Sequence, residues 1–241
     1  MSILQTFCAI LAVFIVAASS ESSADVLSTG FEPGMAIAEQ SQLNRGITHY
    51  VDVSTAMSEA TLRCFVQNHY TGIIARAYRS TGTIDPAYVG TLKTAAHVGL
   101  AGHAYMFPKP TGAAAATQVH ELLTSFHNNV VPKMLWLDIE GKQYWHADHA
   151  RNREWATQLV HAAVNGSVPV GIYSSHVQWV DIFGSASFVL APRLPLWYAH
   201  YDKKETSSDF VAFGGWNRPT AKQHVGETKL CGASVDLNVF F

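Results

Sequence analysis

The stretch Lys133-Met-Leu-Trp-Leu-Asp-Ile-Glu-Gly141 limits what this chain can fold into more than any other segment. Leu135, Leu137 and Ile139 share one parity, and Trp136, Asp138 and Glu140 share the other. In a strand, successive side chains point to opposite faces. The pattern therefore gives one aliphatic face, suited to packing under helices, and a second face that carries two carboxylates. Strand geometry sets the Cα atoms of Asp138 and Glu140 roughly 6–7 Å apart. Acids on an inner face are costly unless they are solvated, paired or used. A pair at this separation suits acid/base attack on a glycosidic bond. A structural acid pair bonded to backbone amides at a strand end satisfies the same pattern.

Strand-like and helix-like runs alternate along the rest of the chain. The strand candidates are 47–54, 72–79, 99–108, 133–141, 168–175, 196–201, 221–225 and 235–240. The helix candidates are 58–69, 86–97, 113–127 and 153–164, with a short one at 177–182. Pro86 after Asp85 reads as a helix start with an acidic cap. Repeated strand–helix alternation implies a parallel sheet with helices outside. Eight strand candidates point to an α/β fold, a TIM-like barrel in a single domain spanning 46–241. The last third is poor in helices, so the barrel is expected to be irregular.

The chain has 241 residues, 48% hydrophobic and 14% charged, which supports a sizeable core and excludes a disordered chain. A formal charge of −2 gives no electrostatic reason for a nucleic-acid partner. Residues 1–18 form a short apolar run followed by small residues and read as a signal peptide, although no Lys or Arg precedes the run. An uncleaved anchor is the alternative. Residues 19–45 carry no clear period and read as a linker or N-terminal arm. After signal cleavage no membrane association is expected, and the destination is secretion or a lysosome- or phagosome-like compartment. Loss of Cys8 leaves Cys64 and Cys231, an even pair that suggests a disulfide in a secreted chain. Two buried free thiols are the other possibility. Asn165-Gly-Ser167 is a glycosylation sequon, and Asn165-Gly166 equally reads as a helix stop.

Barrel enzymes carry their chemistry at the C-terminal ends of the strands. Asp52 falls at such an end, as do Asp138, Glu140 and Tyr173. Asp236 is the exception, near the start of the last strand candidate. Tyr105, Phe107, Trp136, Trp197 and Tyr201 crowd the same strands. One aromatic residue alone is better explained as core. Grouped with four acids, they suit a carbohydrate cleft, because sugar rings have apolar faces and a rim of hydroxyls.

The motifs Val51-Asp-Val-Ser54, Trp136-Leu-Asp-Ile-Glu140, Gly171-Ile-Tyr-Ser174, Leu196-Trp-Tyr-Ala-His-Tyr201, Lys222-Gln223 and Val235-Asp-Leu-Asn238 appear in order. Together they resemble glycoside hydrolase family 25, the muramidase-type lysozymes, and look closest to its invertebrate and protist branch. The resemblance covers residues 47–241 and extends to Arg76-Ala-Tyr-Arg-Ser80, Tyr105-Met-Phe-Pro108, Phe213-Gly-Gly-Trp216 and Cys231-Gly-Ala-Ser234. It implies cleavage of the β-1,4 bond between N-acetylmuramic acid and N-acetylglucosamine in bacterial peptidoglycan. It also implies Glu140 as general acid/base, Asp138 as partner of the substrate 2-acetamido group, and Asp52 and Asp236 lining the cleft. That is a retaining, substrate-assisted route, an exception to the two-carboxylate nucleophile scheme. Tyr105, Tyr173, Trp197, Tyr201, Gln223 and Trp136 are the implied substrate-binding residues. No cofactor or metal is implied, and a monomer is expected. Lys109-Pro-Thr-Gly-Ala-Ala-Ala-Ala116 lacks the extra cysteines of some relatives.

Two other classes compete with this reading. His146-Ala-Asp-His149 could place metal ligands on one helical face. It is read here as surface histidines in a loop, since no His-Glu-x-x-His pattern accompanies it. A barrel that binds carbohydrate without turnover is the second, since fold does not fix chemistry. The 12 histidines bear on pH: protonating all of them would move −2 to +10, an upper limit, and strengthen attraction to anionic walls. With a raised Glu140 pKa, this sets an expected acidic optimum at roughly pH 4–6.

Overall fold

The computed structural model describes residues 46–241. The expected leader 1–18, the arm 19–45 and Cys8 lie outside the described residues. The strands are β1 (Thr48–Val53), β2 (Gly72–Arg79), β3 (Thr83–Ile84), β4 (Ala101–Met106), β5 (Leu135–Asp138), β6 (Val170–Ser174), β7 (Leu196–Ala199), β8 (Ala221–Leu230) and β9 (Ala233–Phe240). The helices are α1 (Glu59–Gln67), α2 (Ala87–His97), α3 (Ala115–Asn128), α4 (His149–Val164) and α5 (His176–Phe183). The order β1-β9-β8-β7-β6-β5-β4-β2, with β1 pairing back to β2, closes eight strands into a barrel. β3 hangs on β2 as a short antiparallel ribbon. The irregular TIM-like α/β barrel read from the alternation is therefore the fold.

The expected all-parallel sheet needs correction. The barrel is parallel from β1 through β8, but β9 runs antiparallel to both β8 and β1. The cause is the two-residue turn Cys231-Gly232, with φ of 53° and 77°. Positive φ at both central positions is the geometry of a tight hairpin, which can only join antiparallel strands. β8 also runs five residues past the expected end at Val225, to Leu230.

The two faces of the sheet differ as the parity of β5 requires. Leu135, Leu137 and Ile139 pack outward into the main core with Leu92, Leu122, Phe126 and Leu159 from the helices. Each such fully buried apolar side chain contributes about 1.5–3 kcal/mol. Inside the barrel, Trp136 packs with Ile74, Tyr173, Trp197 and Ala221 in a separate, largely aromatic cluster. The rings need room: a Cβ on Gly72 would sit 2.1 Å from the Tyr50 ring, which fills the barrel floor beside Phe240.

Helix starts follow local capping chemistry. Ser58 accepts from Thr61 N ahead of α1 and Asp85 accepts from Ala87 N ahead of α2. Asp148 accepts from Ala150 N and Arg151 N, starting α4 four residues before the expected Arg153. No helix follows β7. The outer face of β8 is covered by the segment after β7, held by Lys222, a fully buried lysine whose Nζ donates to Asp202 Oδ2 at 2.8 Å and Thr206 O at 2.9 Å. Cys64 on α1 and Cys231 in the β8–β9 turn form a disulfide, Cα–Cα 6.0 Å, across 167 residues of chain. A closed loop of that length contributes about 5 kcal/mol in the entropy account. Among the described residues no helix is long and apolar enough to cross a membrane.

Candidate active site

The parallel strands deliver Asp52, Asp138 and Tyr173 to one rim of the barrel, each at or one residue from its strand's C-terminal end. Glu140 lies two residues past β5 on the same parity as Asp138. Asp236 reaches this rim from the opposite chain direction. Because β9 is antiparallel, its early residues lie level with the ends of its neighbours, and Asp236 stands directly opposite Asp52 in the β1–β9 register. The position that looked anomalous in a parallel barrel is the one that brings the fourth acid in.

One amide ties the rim together. Gln223 Nε2 donates to Asp52 Oδ2 at 2.9 Å and to Asp236 Oδ2 at 3.2 Å. Its Oε1 accepts from Tyr173 OH at 2.7 Å and from Tyr201 OH at 2.8 Å. Two donors and two lone pairs are all an amide side chain has. Asn238 repeats the device one step along: Nδ2 donates to Asp52 Oδ2 at 2.8 Å, and Oδ1 accepts from Trp197 Nε1 at 2.8 Å. Glu227 N donates to the second oxygen of Asp236 at 2.6 Å. Asp138, by contrast, keeps Oδ1 buried with no partner.

The electrostatics follow from this crowding. Burial, then the charge of Asp236, pushes Asp52 up to about 7, against the amide bonds from Asn238 and Gln223. Burial, then the charges of Glu140 and Asp52, raises Asp138 well above the carboxylate range, with Arg76 opposing. Glu140 is raised by burial and by Asp236, and Asp236 by burial and by Glu227. Four carboxyl groups in one desolvated rim cannot all ionise together. The cluster therefore retains protons where ordinary acids have lost theirs, which is what a general acid requires.

Comparison with known proteins gives the family. The family profile of lysozyme-like protein 1 matches residues 44–224. A probable GH family 25 lysozyme 2 of Dictyostelium discoideum is 36% identical over 192 residues, 78% of this chain and 88% of the relative. Lysozyme-like protein 5 of Caenorhabditis elegans is 37% identical over 193 residues, 78% of this chain and 89% of the relative.

The chain belongs to glycoside hydrolase family 25.

It is a glycoside hydrolase of the lysozyme type. A family 25 lysozyme from Aspergillus fumigatus superposes with a TM-score of 0.66 at 20% identity, covering 81% of this chain and 94% of that one. The likeness there is of fold. Counting factor 50 of D. discoideum is also similar, at 29% identity over 78% of this chain and 64% of the relative.

Within the family 25 barrel, the expected site residues fall into three groups. Asp52, Asp138, Glu140 and Asp236 share one rim, and Tyr201 is 56% exposed beside it. Tyr105 is half-buried, and its hydroxyl is held in the neutral form by burial and by the charges of Asp52 and Asp138. Trp136, expected to touch substrate, is completely buried in the barrel floor with its indole N–H directed at His103 Nδ1. It has the parity of the acids but lies one step deeper, so the sugar-contact reading is corrected. Trp197 is likewise floor, and Tyr173 presents its hydroxyl to Gln223 rather than to solvent. Gln223 has no free hydrogen-bonding capacity, which makes it an organiser of the acids and not a free binder. Asn238 was missed, although its parity with Asp236 gave the signal.

His149 is exposed, as expected of a surface histidine, but it opens α4 rather than lying in a loop, and His146 is half-buried. His146 Nε2 lies 3.2 Å from Pro110 O, and His149, the first residue of α4, has Nδ1 3.0 Å from Ile182 O. Both rings serve as tertiary ties. Asn165 is exposed at the C-cap of α4.

Proposed function

We propose that this family 25 protein is an N-acetylmuramidase that hydrolyses the β-1,4 bond between N-acetylmuramic acid and N-acetylglucosamine in bacterial peptidoglycan. The observation that carries this reading is Asp138: a buried carboxyl with one unpartnered oxygen, on the same face as Glu140. A buried acceptor left unpaired costs about 1–3 kcal/mol. The N–H of a 2-acetamido group supplies the missing donor.

The chemistry then follows. Glu140, protonated in the free enzyme, gives its proton to the glycosidic oxygen as the bond to the anomeric carbon breaks. The acetamido oxygen of the same sugar closes on that carbon, and the ring so formed carries the positive charge. Asp138 accepts from the acetamido N–H and so orients the group toward the anomeric carbon. Glu140, now ionised, takes a proton from water as it opens the ring, so the β configuration is retained. Asp52 and Asp236 raise the proton affinity of the rim, and Tyr201 and Tyr105 are the aromatic groups left to meet the sugar.

The disulfide, the leader-like start and the exposed sequon at Asn165 support a secreted protein, or one sent to a lysosome- or phagosome-like compartment, with a role in digesting or resisting bacteria. A binding barrel without turnover is less well supported, since all four rim acids are present.

The test is product analysis. Purified peptidoglycan digested with the protein should gain reducing ends of muramic acid, and proton NMR of the first product should show the β anomer. Reducing ends of N-acetylglucosamine, or an α first product, would overturn the bond or the route.

A further inference from the structure

We infer that Gln178 and Trp145 are positioning residues that clamp the backbone on both sides of Glu140's peptide and so aim its carboxyl. This rests on Glu140 being the general acid/base.

Glu140 lies where the sheet no longer holds the chain. The last ladder bond of this segment is Ile139 N to Tyr173 O at 2.9 Å, with Ser174 Oγ capping Ile139 O at 2.7 Å. Beyond it the backbone turns sharply through Gly141, φ 68°, into a short 3-10 turn, Lys142–Tyr144. A catalytic carboxyl on such a stretch needs other constraints, because misplacement by about 1 Å can cost a hundredfold in rate.

Two side chains from outside the sheet supply them. Trp145 Nε1 donates to Glu140 O at 3.0 Å, and Gln178 Oε1 accepts from Gly141 N at 2.9 Å. They hold the carbonyl and the N–H of the same peptide unit, the one that follows the Glu140 Cα. Trp145 is itself fixed, buried edge-on against Trp155 and Phe183. Position 141 favours glycine: its φ lies in the left-handed region, and a Cβ there would come 2.7 Å from the Tyr144 ring and 3.3 Å from Phe107.

Gln178 shows the cost of the arrangement. Ser175-His-Val-Gln178 has the form of a capping box, and Ser175 Oγ does accept from Gln178 N at 3.1 Å. The reciprocal bond in such a box runs from the glutamine side chain back to its own helix start. Here the Gln178 amide oxygen instead reaches 37 residues back in the chain to Gly141. A local helix-capping bond is given up for one that fixes the acid's peptide.

The experiment uses the mature protein and a soluble peptidoglycan oligosaccharide. Gln178→Leu and Trp145→Phe should each lower kcat about tenfold, with KM within about twofold and a thermal midpoint within a few degrees of wild type. Gln178→Glu keeps an acceptor for Gly141 N and should recover most of kcat below about pH 5, while the added charge moves the basic limb of the pH profile upward. Unchanged kcat in both deletion variants, with wild type active and Glu140→Gln inactive, would overturn the clamp and leave Glu140's role intact. An active Glu140→Gln would instead remove the reading on which the clamp rests. If Trp145→Phe fails to fold, the Gln178 pair decides: equal kcat and pH profiles for Leu, Glu and wild type would refute the inference.

Discussion

Asp52 on β1 and Asp236 on β9 are cross-strand partners, and one amide nitrogen, Gln223 Nε2, donates to both. Two carboxyls facing each other directly repel when ionised. The shared amide makes the arrangement tolerable, with its oxygen fixed in turn by Tyr173 and Tyr201. Replacing Gln223 with Leu removes all four bonds and leaves buried groups unpaired, at about 1–3 kcal/mol for each one not rescued by water. The variant should melt roughly 5–10 °C lower and lose at least tenfold in lysis. A melting point and activity equal to wild type would show that the network is incidental.

The raised acids also fix how stability changes with pH. Asp52 has a folded value of about 7 against roughly 3.9 unfolded. A raised acid favours the fold fully below its unfolded value, and that contribution is lost as pH climbs through the folded one. Three units correspond to about 4 kcal/mol as an upper figure. Asp85, held low by its bonds from Arg79 and Arg76, and Asp202, held low by Lys222, work the other way: their support is present above about pH 4 and is lost on acidification. Urea unfolding should therefore show greatest stability in mildly acidic buffer and a decline from pH 5 to 8. Asp52→Asn keeps an acceptor for Asn238 and should flatten that decline by about 2–4 kcal/mol. A wild-type protein more stable at pH 8 than at pH 5 would contradict the electrostatic account.

Activity should peak between roughly pH 4 and 6. The acids keep Glu140 able to donate a proton there, and histidine protonation adds positive charge that favours an anionic wall. The structure trims that charge. His103 is pushed down to about 4 by burial, and His224 is also lowered by burial, so neither adds fully. Excluding both leaves 10 of the 12 histidines, which moves −2 to +8 at most. Lysis profiles at constant ionic strength check this. A peak at or above pH 7 would contradict it, and an acidic advantage on whole walls that survives high salt would remove the wall-attraction part.

Much of the site was legible because strand parity is a strong constraint. Trp136, Asp138 and Glu140 had to share a face, and they do. Depth along a strand was not legible: parity cannot say that Trp136 is floor and Asp138 is rim. Strand direction was hidden as well. The polar run Gly226-Glu-Thr-Lys229, with register shifts between Gln223 and Thr228, concealed the second half of β8. Ending that strand at Val225 left a gap in which the Cys231-Gly232 hairpin could not be recognised. With the hairpin in place, Asp236 at a strand start ceases to be an exception. The bonds of Gln223 and Asn238 join residues from five strands, β1, β6, β7, β8 and β9, and no local pattern encodes them.

Glu140 is the residue proposed to protonate the glycosidic oxygen. Lysis of bacterial walls followed by turbidity, with wild type and Glu140→Gln compared at the acidic optimum, is the decisive measurement. The amide keeps the shape and removes the transferable proton, so the variant should melt close to wild type and lose about 10²–10⁴-fold in rate. A correctly folded Glu140→Gln protein that clears walls at a rate near wild type would contradict the assignment of the acid.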